Sequence, residues 1–179
     1  MIHPILRNSI LCYLRTTLMG EDLILLAEDN EDEVALLRAV FEKARIANPL
    51  RVVSDGEEAI AYLKGDEPYS DREQHPLPGL LLLDLKMSRI DGFQVLAWIR
   101  QQPWLKGLRI IVLTGLYDLH NVNKAYQLGA HSFLVKPIGF TEFVELMLAL
   151  QRHEPLLTVL PDPEAPLPTP APPSIALTA

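Results

Sequence analysis

The sequence predicts a doubly wound α/β fold: a five-stranded parallel sheet with helices on both faces. Three observations predict it. Short apolar runs of strand length alternate with segments of helical periodicity, strand then helix, five times along the chain. Residues 23–27 (Leu-Ile-Leu-Leu-Ala) and 79–83 (Gly-Leu-Leu-Leu-Leu) are apolar without interruption, as expected of strands covered on both sides. Each strand is followed by enough helical chain to cross over to a parallel neighbour.

The elements follow in order. After the first strand, Asn30 with Glu33 three residues later reads as a capping box, and Val34, Leu37, Val40 and Phe41 recur at helical spacing. Residues 50–53 form a short second strand. Asp55-Gly56 turns into a helix bearing Ala59, Ile60 and Leu63, and Gly65 is placed to stop it. The third strand ends at Asp84. A helix over residues 93–101, with Val95, Leu96 and Ile99 on its core face, is stopped by Pro103. Residues 108–113 are a strand ending at Thr114, and a more polar helix over 118–128 ends at Gly129. Residues 132–135 are the last strand, Lys136-Pro137 follows, and a helix covers 141–152. Trp98 and Trp104 flank the end of the third helix, where packing is the default expectation.

Outside this region the composition changes. Residues 1–20 carry no acid and two arginines, Arg7 and Arg15, with a longest apolar run of five residues, too short for a signal-peptide core of about 7–15. An organelle leader is one reading of this segment. An extension without fixed structure is another, with Met19 as a candidate translation start just before the first strand. Residues 154–179 hold eight of the fifteen prolines and neither glycine nor a basic residue, so the segment is expected to be stiff, extended and disordered. That leaves 21–153 as the folded domain. The formal charge of −7 argues against non-specific nucleic-acid binding and against an anionic membrane surface. One cysteine, Cys12, excludes an internal disulfide and fits a reducing, cytoplasmic setting. The five histidines show no zinc spacing, and no glycine-rich phosphate loop precedes a helix.

In doubly wound sheets ligands bind outside the carboxyl ends of the strands. The residues at those ends are Glu28 and Asp29, Asp84, Thr114 and Lys136. Singly each has an ordinary explanation: Asp29 as a helix cap or dipole partner, Asp84 as the start of an Asx-turn, Lys136 as a solvated lysine. Together they are harder to explain. Carboxylates about 4 Å apart repel by a few kcal/mol per pair at an effective dielectric near about 20, so a cation or counter-lysine must neutralise them. Oxygen-only ligands favour a hard ion, and Mg²⁺ takes one or two carboxylates together with waters and phosphate oxygens. The constellation points to Mg²⁺-assisted chemistry on a phosphoryl group.

Four segments carry a specific resemblance: residues 25–30 (Leu-Leu-Ala-Glu-Asp-Asn), 82–87 (Leu-Leu-Asp-Leu-Lys-Met) with Asp91-Gly92, 112–115 (Val-Leu-Thr-Gly) and 133–137 (Phe-Leu-Val-Lys-Pro). In this order and spacing, over residues 23–150, they resemble the receiver domain of two-component response regulators. The resemblance implies a flavodoxin-like (βα)5 domain and a phosphorelay signalling switch, with no enzymatic turnover beyond its own phosphorylation and dephosphorylation. It implies that Asp84 accepts the phosphoryl group from a sensor histidine kinase. Glu28, Asp29, Asp84 and the carbonyl of Lys86 would bind Mg²⁺. Lys136 and Thr114 would hold phosphoryl oxygens, with Gly115 leaving room for the group. Phe133 would be the aromatic switch partner of Thr114, and Lys86 and Leu116 would tune phosphoryl lifetime. The Lys136–Pro137 bond would be cis. The readout would run through the fourth helix, fifth strand and fifth helix to a downstream protein, a histidine phosphotransfer module or a second copy of the chain. With little chain after the domain, a stand-alone receiver is expected.

Two departures from the family pattern stand out. Ser88 replaces a common proline, which predicts a looser loop without touching the phosphorylation chemistry. Phe133 replaces a commoner tyrosine, which keeps the packing role and removes a hydroxyl. The connection over residues 65–78 is long for a helix-to-strand loop, where about 2–6 residues is usual; a tolerated surface insertion is one reading, and with the Leu-Leu-Leu-Asp-Leu strand end it also resembles receivers paired with phytochrome-type histidine kinases. Two other functions were weighed. A haloacid dehalogenase-type phosphatase would want a second acid at position 86, where lysine stands. A receiver-shaped adaptor acting without phosphorylation would have no need of the intact acidic set.

Overall fold

A computed structural model describes residues 23–115, 118–153 and 157. The expectations for residues 1–20, for Leu116 and for the proline-rich segment apart from Leu157 lie outside the described residues.

Five strands and five helices alternate: β1 Ile24–Ala27, α1 Glu31–Lys43, β2 Leu50–Val53, α2 Gly56–Lys64, β3 Leu80–Leu83, α3 Gly92–Arg100, β4 Arg109–Thr114, α4 Leu119–Gln127, β5 Ser132–Val135 and α5 Phe140–Gln151. The sheet is wholly parallel in the order β2-β1-β3-β4-β5. This is the expected flavodoxin-like arrangement, and the order reverses between β1 and β3. A single turn of 3₁₀ helix, Pro103–Leu105, follows α3.

The two-residue period of the strands divides the core into two layers. Ile24, Leu26, Leu80, Leu82, Ile111 and Leu113 pack with Leu37, Val40 and Phe41 of α1 and Phe143, Met147 and Leu150 of α5, and Leu157 joins them. Leu25, Ala27, Leu81, Leu83, Ile110 and Val112 face the other way, onto Ala59 and Leu63 of α2, Val95, Leu96 and Ile99 of α3, and Ala125 of α4. Every β1 and β3 side chain is therefore buried, which is why those strands are apolar at each position. The edge strands β2 and β5 are only partly buried and carry Arg51 and Ser132.

Helix ends follow local chemistry. Asp55, Asp91 and Asp118 accept hydrogen bonds from the first turns of α2, α3 and α4. Gly65 ends α2 at φ +78°, in the left-handed region that costs glycine little. The α1 cap differs from expectation. Asn30 Oδ1 accepts from Asp32 N–H and Glu33 N–H, but the reciprocal half of the box is replaced: Asn30 N–H donates to Glu28 Oε1 at 3.2 Å. Glu33 reaches elsewhere. Among the described residues no helix is long and apolar enough to cross a membrane.

The long 65–78 connection folds back onto α2. Arg72 donates to the carbonyls of Tyr62 and Leu63 at 2.9 and 2.7 Å and to His75 O at 3.1 Å, tying the connection to the last turn of α2. Tyr62, fully buried, lies 4.9 Å from the ring of Tyr69 and donates its hydroxyl to Pro76 O at 3.1 Å. Glu58 of α2 accepts from Tyr69 OH and from Ser54 N–H and Oγ–H. Burial raises the Glu58 carboxyl, but the Ser54 and Tyr69 hydrogen bonds outweigh it and hold its pKa below the ordinary value. A depressed acid stabilises the fold above its unfolded pKa, and that contribution is lost as pH falls through the folded value. Glu58→Gln therefore costs about 1 kcal/mol at pH 7, the hydrogen bonds being partly screened by solvent. The gap to wild type closes on acidification below the carboxylate range. Parallel urea titrations from pH 7 to 3 read both, and a gap that stays constant with pH would show that the Glu58 charge is not what holds the loop.

Candidate functional site

The carboxyl ends of β1, β3, β4 and β5 open into one cleft of about 560 Å³ lined by Glu28, Asp29, Asn30, Glu33, Asp84, Lys86, Met87, Ser88, Thr114, Gly115 and Lys136. All the strand-end residues singled out from the sequence meet there. Parallel pairing with β1 Ala27 opposite β3 Leu83 sets Glu28 beside Asp84, each one residue past its strand. Glu28, Asp84 and Thr114 are buried at 4, 5 and 1% exposure, while Asp29 sits at the open rim.

Lys136 is the hub. Its Nζ donates to Glu28 Oε2 at 2.5 Å, to Asp84 Oδ1 at 3.2 Å and to Glu33 Oε2. Burial pushes the ammonium down, but the hydrogen bonds to Glu28 and Glu33 and the charges of Asp84 and Glu28 outweigh it, so Lys136 is held protonated above its ordinary pKa. Burial, reinforced by the charge of Asp84, raises the Glu28 carboxyl against the opposing pull of Lys136. The second oxygen of Asp84 accepts from Lys86 N–H at 2.7 Å, which fixes the carboxylate between that peptide and Lys136.

Gly92 holds the wall behind Asp84. A Cβ there would lie 2.3 Å from Asp84 O and 2.8 Å from Leu85 Cα, so only glycine lets the start of α3 pack against this peptide. At Gly115 an added Cβ would meet nothing within 4 Å, which leaves the cleft open beside Thr114. Phe133 is half-buried against the α2–α3–α4 layer.

Two expectations are corrected here. The Lys136–Pro137 bond is trans; among the described residues the cis bond is Glu67–Pro68. An X–Pro bond differs by only about 0.5–1 kcal/mol between isomers, so the dipeptide alone does not choose. The loop at Ser88 does touch the site. Ser88 N–H donates to Asp29 Oδ2 at 2.7 Å, a bond that a proline could not make. Its neighbour Arg89, at φ +61°, pairs with Asp55 and with Glu57 at 3.1 Å, tying the loop to the start of α2. Ser88 and Glu33 are the site residues that sequence reasoning missed. Glu33 was absorbed by its capping pattern, and a backbone N–H leaves no mark in a sequence.

The donor set suits a hard divalent ion: acidic oxygens from Glu28, Asp29 and Asp84 border one cleft, with neither histidine nor cysteine among the lining residues. Among the described residues no three His, Cys, Asp or Glu groups already stand as a metal-ligating cluster. The carboxylates are turned toward Lys136 and loop N–H groups, so a bound ion would take over oxygens that these donors now hold.

The doubly wound sheet thus gathers buried acids, a threonine and a lysine at the carboxyl ends of its strands, beside its switch point. Residues 24–148 match the response regulator receiver domain, and the chain belongs to that family. It is similar to response regulator Rcp1 of Synechocystis sp., with 32% identity over 128 residues, 72% of this chain and 85% of the relative. The Mn²⁺-bound crystal structure of Rcp1 superposes with a TM-score of 0.64 at 32% identity, covering 72% of this chain and 91% of that one. Response regulator RPA3017, which acts in red light signalling of R. palustris, gives a TM-score of 0.69 at 35% identity over 73% of this chain and 91% of that one. The phosphorylated cyanobacterial phytochrome response regulator RcpA gives 0.66 at 27% identity, with the same coverages of 73 and 91%.

Proposed function

We propose that Asp84 accepts a phosphoryl group from a phosphohistidine on a sensor histidine kinase of the phytochrome type, in a reaction that needs Mg²⁺. The observation that carries this is the convergence of Glu28, Asp29, Asp84, Thr114 and Lys136 on one cleft. The kinase type is supported by the relatives named for red light and phytochrome signalling.

An oxygen of the Asp84 carboxylate forms the new bond to phosphorus as the phosphorus–nitrogen bond breaks, and the imidazole leaves with the electron pair. Glu28, Asp29, Asp84 and the Lys86 carbonyl would hold the ion, which offsets the negative charge of nucleophile and phosphoryl group. Lys136 donates to a phosphoryl oxygen from the position it already holds beside Asp84. Thr114, buried at the end of β4, turns its hydroxyl to another oxygen. The arriving group adds about −1.5 to −2 charges, enough to bias a two-state loop by a few kcal/mol. Phe133 would repack with Thr114, and α4, β5 and α5 carry the change to a partner. Exposed Leu119, Tyr126, Val135 and Phe140 on these elements offer apolar contacts. Hydrolysis of the acyl phosphate resets the switch.

Intact-mass spectrometry tests the proposal. Incubation with Mg²⁺ and acetyl phosphate adds about 80 Da, one base-labile phosphoryl group. Chelating the ion with EDTA abolishes the gain. A folded, Mg²⁺-binding chain that never gains this mass would instead act as a phosphorylation-independent adaptor.

A further inference from the structure

The ammonium of Lys136 has three N–H donors, and the structure gives them three carboxylates: Glu28, Asp84 and Glu33. These partners differ in what else they must do. Glu28 and Asp84 lie deep in the cleft and belong to the set that would bind the divalent ion. That ion would draw away their oxygens and would repel the ammonium. Glu33 stands outside that set, on the first turn of α1, with its side chain 42% exposed.

We propose that Glu33 is a positioning residue, which keeps Lys136 at the site when the ion takes Glu28 and Asp84. The inference rests on the reading of the cleft as a phosphoryl-acceptor site. Two plainer roles for Glu33 are already filled. The N–H that a capping-box glutamate would take, that of Asn30, is held by Glu28. Acidic complement to the α1 dipole is supplied by Glu31 and Asp32 on the same turn, without either reaching Lys136. Instead the Glu33 carboxylate spans to a lysine 103 residues away in sequence.

The test uses the full chain as wild type, Glu33→Gln and Glu31→Gln at saturating Mg²⁺. The accessibility of Lys136 is read by reductive methylation and peptide mass spectrometry, and phosphorylation by acetyl phosphate is timed on the same samples. Glu33→Gln is expected to speed Lys136 methylation and slow phosphorylation, each by roughly twofold to fivefold, the range of a partly exposed ion pair. Its Mg²⁺ affinity, measured by calorimetry, stays at the wild-type value. Glu31→Gln, which makes the same charge change on the same turn, behaves as wild type. Unchanged methylation or unchanged phosphorylation in Glu33→Gln overturns the inference. So does weaker Mg²⁺ binding, which would make Glu33 a ligand. A wild-type chain that is not phosphorylated at all overturns the parent reading instead, while methylation still reports whether Glu33 holds the lysine.

Discussion

The Asp84→Asn chain, incubated with Mg²⁺ and acetyl phosphate, keeps its unmodified mass while the wild type gains the phosphoryl group. The expected loss is complete, because an amide lacks the anionic oxygen that attacks phosphorus. The site makes this substitution informative. Asp84 is 5% exposed at the end of β3, its Oδ2 accepts from Lys86 N–H and its Oδ1 faces Lys136. An asparagine that keeps its oxygen toward Lys136 places the amide nitrogen against the Lys86 N–H, donor against donor, a local cost of about 1 kcal/mol or more. Removing one buried negative charge beside Glu28 works in the opposite direction. The fold therefore survives, and a lost adduct reports chemistry rather than unfolding. A residual gain of about 80 Da in Asp84→Asn would place the acceptor elsewhere, with Asp29 and Glu28 the nearest candidates.

Gly92→Ala is expected to lower stability by roughly 3 kcal/mol, the upper end of over-packing costs. For a domain of this size that is a melting point lower by on the order of 10 °C. The added methyl meets only backbone, Asp84 O at 2.3 Å and Leu85 Cα at 2.8 Å, so no side chain can swing aside to receive it. Relief requires moving α3 or the Asp84–Leu85 peptide, and the second option shifts the Asp84 carboxylate itself. Phosphorylation slows along with the stability loss. Gly107→Ala is the control, since a Cβ there meets nothing within 4 Å. Thermal melts of the two variants beside wild type decide it: equal melting points would mean that the α3 start yields more easily than its packing indicates.

How much of this was legible in the sequence depended on how local each cause is. Strand and helix positions were readable because a two-residue or 3.6-residue apolar period records which face is buried, and β1 and β3 needed apolar residues on both faces. The turn into α2 at Asp55-Gly56 and its stop at Gly65 were equally local, satisfied by residues a few positions away. The convergence of Glu28, Asp84, Thr114 and Lys136 was readable because parallel strands put all their carboxyl ends on one edge. Tertiary packing decided the rest. Glu33 looked like a cap and became a partner of Lys136, because the fold brings the ends of β1 and β5 to the same cleft and a charged contact there outweighs a local one. Ser88 looked neutral and became an anchor for Asp29, because the relevant donor is a backbone N–H whose direction only the folded loop sets. Lys136–Pro137 is trans, and the dipeptide holds too small an isomer preference to announce it. The sequence by itself determined the fold and the chemical character of the site, since both follow from periodicity and residue type. Only the tertiary structure decided which donor meets which acceptor, since those choices are made between groups distant along the chain that compete for the same few oxygens.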